Sequence, residues 1–242
     1  MTALRVPVAA IERGRRQLED AASHYVLHVH RLRVGDPVLL FDTASKLEAD
    51  AHIVEVRRGT VSCEVEEVRA ATLVATTPLW LLAGLTKHDA FEWAIREATA
   101  LGVTEIVPLT TMHAAKLPTE SASKRRERWL RIAIEGARQS GRGDVPRIHP
   151  PFGLQEAFGL CNDPQAIRLC FWERATASLR ATIASETTPV VVLVGPEGGL
   201  DATEVAAAEA AGFRTVSLGR FILRAETATI AALGVVRAFL GG

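Results

Sequence analysis

The 242-residue sequence predicts an α/β protein in which a small β-barrel precedes a parallel sheet with helices on both faces. The first 70 or so residues contain several strand-like runs, whereas strand-like and helix-like segments alternate from residue 79 onward. Such alternation is typical of a parallel sheet covered by helices. In addition, two glycine-bearing segments near the C-terminus each follow a short apolar run and lead into a helix-like segment, an arrangement that favours ligand binding.

The N-terminal region is predicted to contain strands at 36–42, 49–56 and 60–68. In the last of these, Val61, Cys63 and Val65 alternate with polar residues, which indicates a half-buried strand. Arg58 and Gly59 favour a hairpin turn before it. The uncharged stretch 71–78 is interpreted as a linker, which divides the chain into a first domain over 1–72 and a second over 73–242.

The second domain is predicted to alternate strands at 79–85 and 103–109 with helices at about 89–101 and 123–140. Gly102 and Gly141 stand where helix C-caps belong. Asp201 and Glu204 form a capping-box pattern at the start of a later helix. The last helix, ETATIAALGVVRAFL, is apolar nearly all round, which predicts burial in the protein or in a subunit interface.

Composition narrows the class of protein. The three cysteines are scattered without a CxxC pattern, which argues for a reducing cytoplasm and against disulfides or structural zinc. No 18-residue apolar run or secretory signal is present, so we expect neither a membrane span nor export. His24, His28 and His30 lack a carboxylate or thiolate at ligand spacing, so no metal site is predicted.

Charge is unevenly distributed along the chain. Lysine and arginine balance aspartate and glutamate overall, but the segment 110–150 has nine basic residues against four acidic ones, a net charge of +5. Such a segment is either a solvated helix face or a surface for a polyanion such as RNA.

The most informative motifs are VVVLVGPEGGL at 190–200 and SLGRFILRAETA at 217–228. Glycines in such turns let the backbone approach a ligand closely. The spacing matches neither GxGxxG nor GxxxxGK[ST], which disfavours a phosphate cradle. A simple strand-to-helix connector is the alternative, but Glu197, Arg220, Arg224 and Glu226 around the apolar patch 221–223 favour a binding site.

Five motifs in order resemble the 16S rRNA uracil-N3 methyltransferase family of the SPOUT superfamily of knotted methyltransferases. Besides the two glycine loops, they are RLRVGDPVLLFD at 31–42, KHDAFEWAIREATALGVTEIVPL at 87–109 and ARQSGRGDVPRI at 137–148. The resemblance spans almost the whole chain. It implies a SPOUT-type trefoil-knotted sheet preceded by a PUA-like RNA-binding barrel, a homodimer, and methylation of uracil N3 in 16S rRNA with S-adenosylmethionine as the only cofactor.

The resemblance also implies site residues. The expected cofactor-binding residues are Thr86, Lys87, Gly195, Pro196, Glu197, Gly198, Gly199, Leu218, Gly219, Leu223 and Thr227. Arg142 or Arg224 would stabilise the imide anion of uracil. Glu197 or Glu226 would accept the N3 proton directly or through water, or only orient an arginine. The expected RNA-binding residues are Arg31, Arg33, Lys116, Lys124, Arg125, Arg138 and Arg142.

One residue that differs from the family pattern and two alternative functions qualify this interpretation. Arg138 stands where the family usually has glutamate, which puts a catalytic role for that position in doubt but leaves Gln139 and Arg142 in place. A SPOUT ribose 2′-O-methyltransferase is the alternative enzyme. A non-catalytic RNA-binding protein that keeps the knot is the alternative of another class.

Overall fold

The computed structural model describes residues 3–116, 122–177 and 188–240, which form two compact units. Unit 1 comprises Met1–Val74 and Ile134–Val145, and unit 2 comprises Ala75–Ala133 and Pro146–Gly242. The sequence-based boundary after residue 72 lies close to the end of the first segment of unit 1. The sequence pattern places the segment 134–145 in the second domain, whereas the structure groups it with unit 1. This grouping depends on contacts between residues far apart in the chain, which local sequence does not show.

Unit 1 is built on a five-stranded sheet with the order β1-β3-β4-β5-β2. Its strands are β1 (Leu4–Pro7), β2 (Gly14–Gln17), β3 (Pro37–Asp42), β4 (Leu47–Arg57) and β5 (Thr60–Ala70). β1 pairs in parallel with β3, and the other neighbours are antiparallel. The predicted hairpin turn is confirmed: Arg58 and Gly59 have φ angles of 51° and 82°, as a tight turn between twisted strands requires.

The core of unit 1 lies on one face of this sheet. Val61, Cys63 and Val65 of β5 are buried, as the period-two pattern predicts. α1 (Asp20–His24) continues into a π-helical turn at Tyr25–Val29. The buried Ser23 hydroxyl accepts a hydrogen bond from Val61 N at 3.1 Å and donates one to the Leu18 carbonyl at 3.3 Å, which fastens the helix to the sheet.

Unit 2 contains a six-stranded sheet with the order β11-β9-β10-β6-β7-β8, and every neighbouring pair is parallel. The prediction of a parallel α/β sheet is thus confirmed. Its strands are β6 (Leu79–Gly84), β7 (Glu105–Leu109), β8 (Arg147–Ile148), β9 (Ile167–Phe171), β10 (Val190–Val194) and β11 (Arg214–Val216). The helices are α2 (His88–Ala100), α3 (Ala122–Ser140), α4 (Leu154–Leu160), α5 (Ala202–Ala210) and α6 (Ala225–Phe239), of which α3 runs from unit 2 into unit 1.

Both faces of the sheet in unit 2 are buried. Leu82 and Leu193 are paired in register and pack with residues of α4 and α5 on one face. Leu81 and Val192, one residue earlier in each strand, face the opposite way and are also buried. On that account the strands are continuous apolar runs rather than alternating ones, as expected for a covered parallel sheet.

The helix ends follow the predicted signals. Gly102 and Gly141 have φ angles of 79° and 83° just beyond α2 and α3. Asp201 caps α5 by accepting a hydrogen bond from Thr203 N at 2.8 Å, and Glu204 reaches back to Asp201 N at 2.9 Å. Among the described helices, none has the length and apolar character needed to cross a bilayer.

Candidate functional site

A cavity of about 200 Å³ lies where the strands β9, β10 and β11 end. Three loops line it: the loop after β9 with Phe171, Trp172 and Glu173, the GPEGGL loop after β10, and the loop between β11 and α6. The strands run in parallel, so their C-terminal ends share one edge of the sheet and the loops that follow them converge.

Most of the expected cofactor-binding residues line this cavity. They are Gly195, Pro196, Glu197, Gly198, Gly199, Leu218, Gly219 and Leu223. Thr86, Lys87 and Thr227 do not belong to the lining. Lys87 is nevertheless linked to it, because its backbone N–H donates a hydrogen bond to Glu197 Oε1 at 3.0 Å.

Two glycines are required by close backbone packing around the GPEGGL loop. A Cβ at Gly84, the last residue of β6, would lie 2.5 Å from Pro196 N. A Cβ at Gly195 would lie 2.9 Å from Leu200 N, on the opposite side of the same turn. The glycines therefore let the end of β6 and the loop after β10 pack directly on each other.

A further loop, after β7, supports the GPEGGL loop. His113 packs against Gly198, where an added Cβ would lie 2.7 Å from His113 Cβ, and its Nδ1 is 3.4 Å from the Gly199 carbonyl oxygen. Met112 N donates a hydrogen bond to Glu204 Oε1 at 2.8 Å. The sequence carries no recognisable signal for these contacts, because they join segments about 90 residues apart.

The loop after β9 is the part of the site that sequence reasoning missed. Phe171, Trp172 and Glu173 follow an ordinary apolar strand and belong to no recognised motif. Only the strand order reveals their position, because β9 lies between β10 and β11 and therefore between the two glycine loops.

The candidate catalytic residues are distributed over both units. Glu197 lines the cavity, whereas Arg224 is the exposed N-cap of α6 and Glu226 lies in its first turn, and neither of these two belongs to the lining. Arg142 lies in unit 1, with its side chain only 3% exposed, and its Nε donates a hydrogen bond to Asp144 Oδ1 at 2.9 Å.

In unit 1, the backbone of Arg142 and the side chain of Arg138 are each held by contacts with other residues. Arg5 Nη2 donates a hydrogen bond to the Arg142 carbonyl at 3.1 Å, which anchors the backbone at that position. Arg138 pairs with Glu135 one turn earlier on α3, and its guanidinium carbon lies 4.6 Å from the centre of the Tyr25 ring. Arg138 is thereby fixed as a cation stacked on an aromatic ring.

The expected RNA-binding residues differ in exposure. Arg31, Arg33, Lys116 and Lys124 are exposed, as phosphate-binding side chains need to be. Arg125 and Arg142 are only 7% and 3% exposed, so both side chains pack inside rather than on an open basic surface. In the part of the chain that the structure describes, no group of three or more histidine, cysteine, aspartate or glutamate side chains is placed to hold a metal ion.

The chain is similar to known RNA methyltransferases. The family model of an RNA methyltransferase domain matches residues 75–237. Ribosomal RNA small subunit methyltransferase E of Bacillus subtilis is 30% identical over 241 residues, which cover 93% of this chain and 94% of that protein. The Synechocystis protein of the same name is 32% identical over 226 residues, covering 92% of this chain and 73% of that protein.

Two solved structures resemble the whole chain. A ribosomal RNA small subunit methyltransferase E from Neisseria gonorrhoeae, bound to S-adenosyl methionine, superposes with a TM-score of 0.86 at 27% identity and covers 98% of both chains. A Legionella pneumophila methyltransferase in complex with the bound cofactor SAM gives a TM-score of 0.88 at 26% identity, with the same coverage. The family recognised from the five sequence motifs is confirmed, and the chain belongs to the ribosomal RNA small subunit methyltransferase E family of RNA methyltransferases.

Proposed function

We propose that this protein transfers a methyl group from S-adenosylmethionine to N3 of a specific uridine in 16S rRNA of the small ribosomal subunit. The observation that carries the proposal is the cavity at the ends of β9, β10 and β11, where both glycine loops meet. Two relatives that share the fold over 98% of the chain were solved with S-adenosylmethionine bound.

The residues of the cavity fit this cofactor. Leu218, Leu223 and Phe171 supply apolar walls for the flat adenine ring, and the glycine loops expose backbone groups to its polar edge. Next to the site, the Thr86 hydroxyl is buried and has no hydrogen-bond partner among the described residues, which suits a position that completes its bonding with a ligand or water. When bound, S-adenosylmethionine supplies a methyl group already activated by its sulfonium.

Two tasks remain for the protein's own residues: accepting the N3 proton of uracil and stabilising the negative charge that its loss leaves on the base. N3 carries a proton that must leave, and Glu197 or Glu226 is the proposed acceptor, directly or through a water molecule. Glu197 is held by Lys87 N through one carboxylate oxygen, so that its position is fixed relative to the cavity. Arg142 or Arg224 is proposed to stabilise the resulting imide anion.

Unit 1 is proposed to bind the RNA. The first domain, residues 1–72, is proposed to be a PUA-like barrel, and the second, residues 73–242, a SPOUT domain with a trefoil knot. Support for RNA binding comes from the exposed side chains of Arg31 and Arg33 after the π-helical turn and from Arg138 stacked on Tyr25. Arginines and aromatic rings together suit phosphates and unstacked bases.

We also propose a homodimer. α6 buries Leu233 and Val236 within its own unit, yet it leaves Val235 and Phe239 exposed at 39% and 37%. Apolar side chains on an outer face favour a partner surface. In such a dimer, Arg142 of one chain and the cofactor loops of the other would complete each active site.

The methylation is tested in two steps. Calorimetry with S-adenosylmethionine checks cofactor binding, and the absence of binding would favour a non-catalytic RNA-binding protein. Mass analysis of 16S rRNA from a deletion strain is expected to show one missing base methyl group. Loss of a ribose methyl instead, with all base methylation intact, would identify a ribose 2′-O-methyltransferase.

The shared site is tested by complementation between inactive variants. Arg142→Ala changes a residue outside the cavity lining, whereas Gly195→Trp disrupts the turn that lines the cavity, because the new side chain would overlap Leu200. Each variant alone is expected to be inactive. Activity in the mixed sample supports a site built from two chains, whereas a monomer by light scattering at working concentration would contradict the dimer.

A further inference from the structure

The loop after β9 places the carboxylate of Glu173 between the two glycine loops. Phe171, the last residue of β9, is paired in register with Val194 of β10 and Val216 of β11. The chain after Phe171 therefore emerges between the loops that follow those two strands. The carboxylate oxygens of Glu173 lie 3.6 and 3.7 Å from the position that a Cβ would take at Gly199, so the carboxylate faces the GPEGGL loop.

Among the described residues, two carboxylates line the cavity, those of Glu173 and Glu197. Glu197 already holds the loop after β6 through its bond from Lys87 N. Glu173 has a weaker structural role, because the Nε of Arg174 is 3.8 Å away and the two side chains are 44% and 75% exposed. Exposed pairs of this kind contribute little to stability. The negative charge of Glu173 is therefore available to a cation in the cavity.

We propose that Glu173 determines cofactor specificity, because its carboxylate favours the positively charged methyl donor over the uncharged thioether product. The inference rests on the proposed function. S-adenosylmethionine and S-adenosylhomocysteine share their ammonium and carboxylate groups and differ in the positive charge on sulfur. Glu173 lines the cavity in which the cofactor is proposed to bind, and two charges closer than the screening length, roughly 8 Å at physiological salt, still attract each other. The preference therefore follows from the one charge by which the two ligands differ.

Such a preference would assist turnover. After transfer, the attraction between Glu173 and the sulfur centre is lost, so the product leaves more readily than the donor. The residue would act on binding and product release, and it takes no part in proton transfer.

The test is calorimetric titration of Glu173→Gln and wild type with S-adenosylmethionine, S-adenosylhomocysteine and sinefungin, in which an amine replaces the sulfonium. Gln keeps the size and hydrogen-bonding capacity of the side chain and removes its charge. We expect the affinity of Glu173→Gln for the two cationic ligands to fall about tenfold, and the ratio of donor to product affinity to fall at least about threefold, as for a charge pair in a partly hydrated site. Glu173→Asp, which keeps the charge, is expected to retain most of the ratio.

The control is Glu127→Gln, which removes an exposed carboxylate on α3 outside the cavity lining and is expected to leave all three affinities unchanged. An equal loss of affinity for all three ligands in Glu173→Gln would overturn the inference, since it would indicate that Glu173 contacts a group that the three ligands share. No loss for any of them would overturn it too. Failure of the wild type to bind S-adenosylmethionine would instead overturn the proposed function.

Discussion

The backbone N–H of Lys87 donates a hydrogen bond to Glu197 Oε1 at 3.0 Å, although 110 residues separate them in the chain. The bond connects the loop after β6 with the GPEGGL loop after β10, and these two strands are neighbours in the sheet. It thus braces the cavity from the side opposite to the β11 loop.

Removing this brace is expected to loosen the cavity. Glu197→Ala deletes the acceptor, and we expect the free energy of unfolding to fall by about 1 kcal/mol and cofactor affinity to fall several-fold. Glu197→Gln keeps an acceptor oxygen and is expected to retain both the stability and the cofactor affinity of the wild type. Urea unfolding and calorimetry measure the two effects. Equal behaviour of the Ala and Gln variants would contradict a role for the hydrogen bond.

A methyl group at Gly84 is expected to displace the GPEGGL loop. In Gly84→Ala the new Cβ would meet Pro196 N at 2.5 Å, and Pro196 belongs to the turn and cannot rotate away. We expect a loss of about 1–3 kcal/mol in stability, as for overpacked sites, together with loss of cofactor binding.

The matched control for Gly84 is Gly159→Ala. Gly159 lies in α4, and nothing lies within 4 Å of its added Cβ. That variant is expected to gain up to about 1 kcal/mol from helix propensity. Thermal unfolding of the two variants distinguishes steric overlap at Gly84 from a destabilising effect of any glycine-to-alanine substitution. Equal destabilisation of both variants would contradict the steric explanation.

Asp144 is expected to be essential for the stability of unit 1. Its carboxylate accepts the Arg142 Nε–H, and both side chains are under 10% exposed. Asp144→Asn removes the negative charge from this buried ion pair and is expected to lower the free energy of unfolding by about 3 kcal/mol. The exposed pair Arg15–Glu55 is the comparison, and Glu55→Gln should change stability by less than about 1 kcal/mol in the same urea titration.

Glu48 is expected to make the stability of unit 1 sensitive to acid. Burial by itself would raise the pKa of Glu48, but hydrogen bonds from Thr72 at 2.7 Å and Arg5 at 3.2 Å outweigh it, and the pKa lies below its ordinary value. A lowered folded-state pKa adds stability above the unfolded-state value of about 4.3, and that stability is lost as pH falls through the folded-state pKa.

The measurement compares wild type with Glu48→Gln by urea unfolding between neutral pH and pH 3. The wild type should have the larger free energy of unfolding at neutral pH. The difference in this free energy between the two proteins should shrink as the solution is acidified. A difference that stays constant with pH would show that ionisation of Glu48 contributes nothing.

The cysteines are expected to be unreactive in the native protein. Burial raises the pKa of Cys63 to about 11 and that of Cys170 to about 12, and it also raises the pKa of Cys161. Thiolate is the reactive form, so very little is present at neutral pH. A thiol reagent should label all three residues in denaturant and none rapidly in the folded protein. Fast labelling of one thiol before unfolding would contradict the burial of that residue.

The local features of the fold could be predicted from the sequence, and their predicted positions agree with the structure. The β4–β5 hairpin, the parallel strands β6 and β7, the glycine ends of α2 and α3 and the capping box of α5 all lie where the pattern predicts. Each depends on a few neighbouring residues, because backbone preference at Gly59 or Gly102 and capping by Asp201 act over one turn of the chain.

The cavity, in contrast, could be predicted only in part. By itself, the sequence determined that two glycine loops should follow buried strands and bind a ligand, since the residues that permit close approach to the backbone are local. Only the tertiary structure decided that β9 lies between β10 and β11, that Glu173 therefore faces the cavity, and that Lys87 and His113 brace the GPEGGL loop. Strand order arises from the packing of the whole apolar sheet, and no short segment of sequence specifies it.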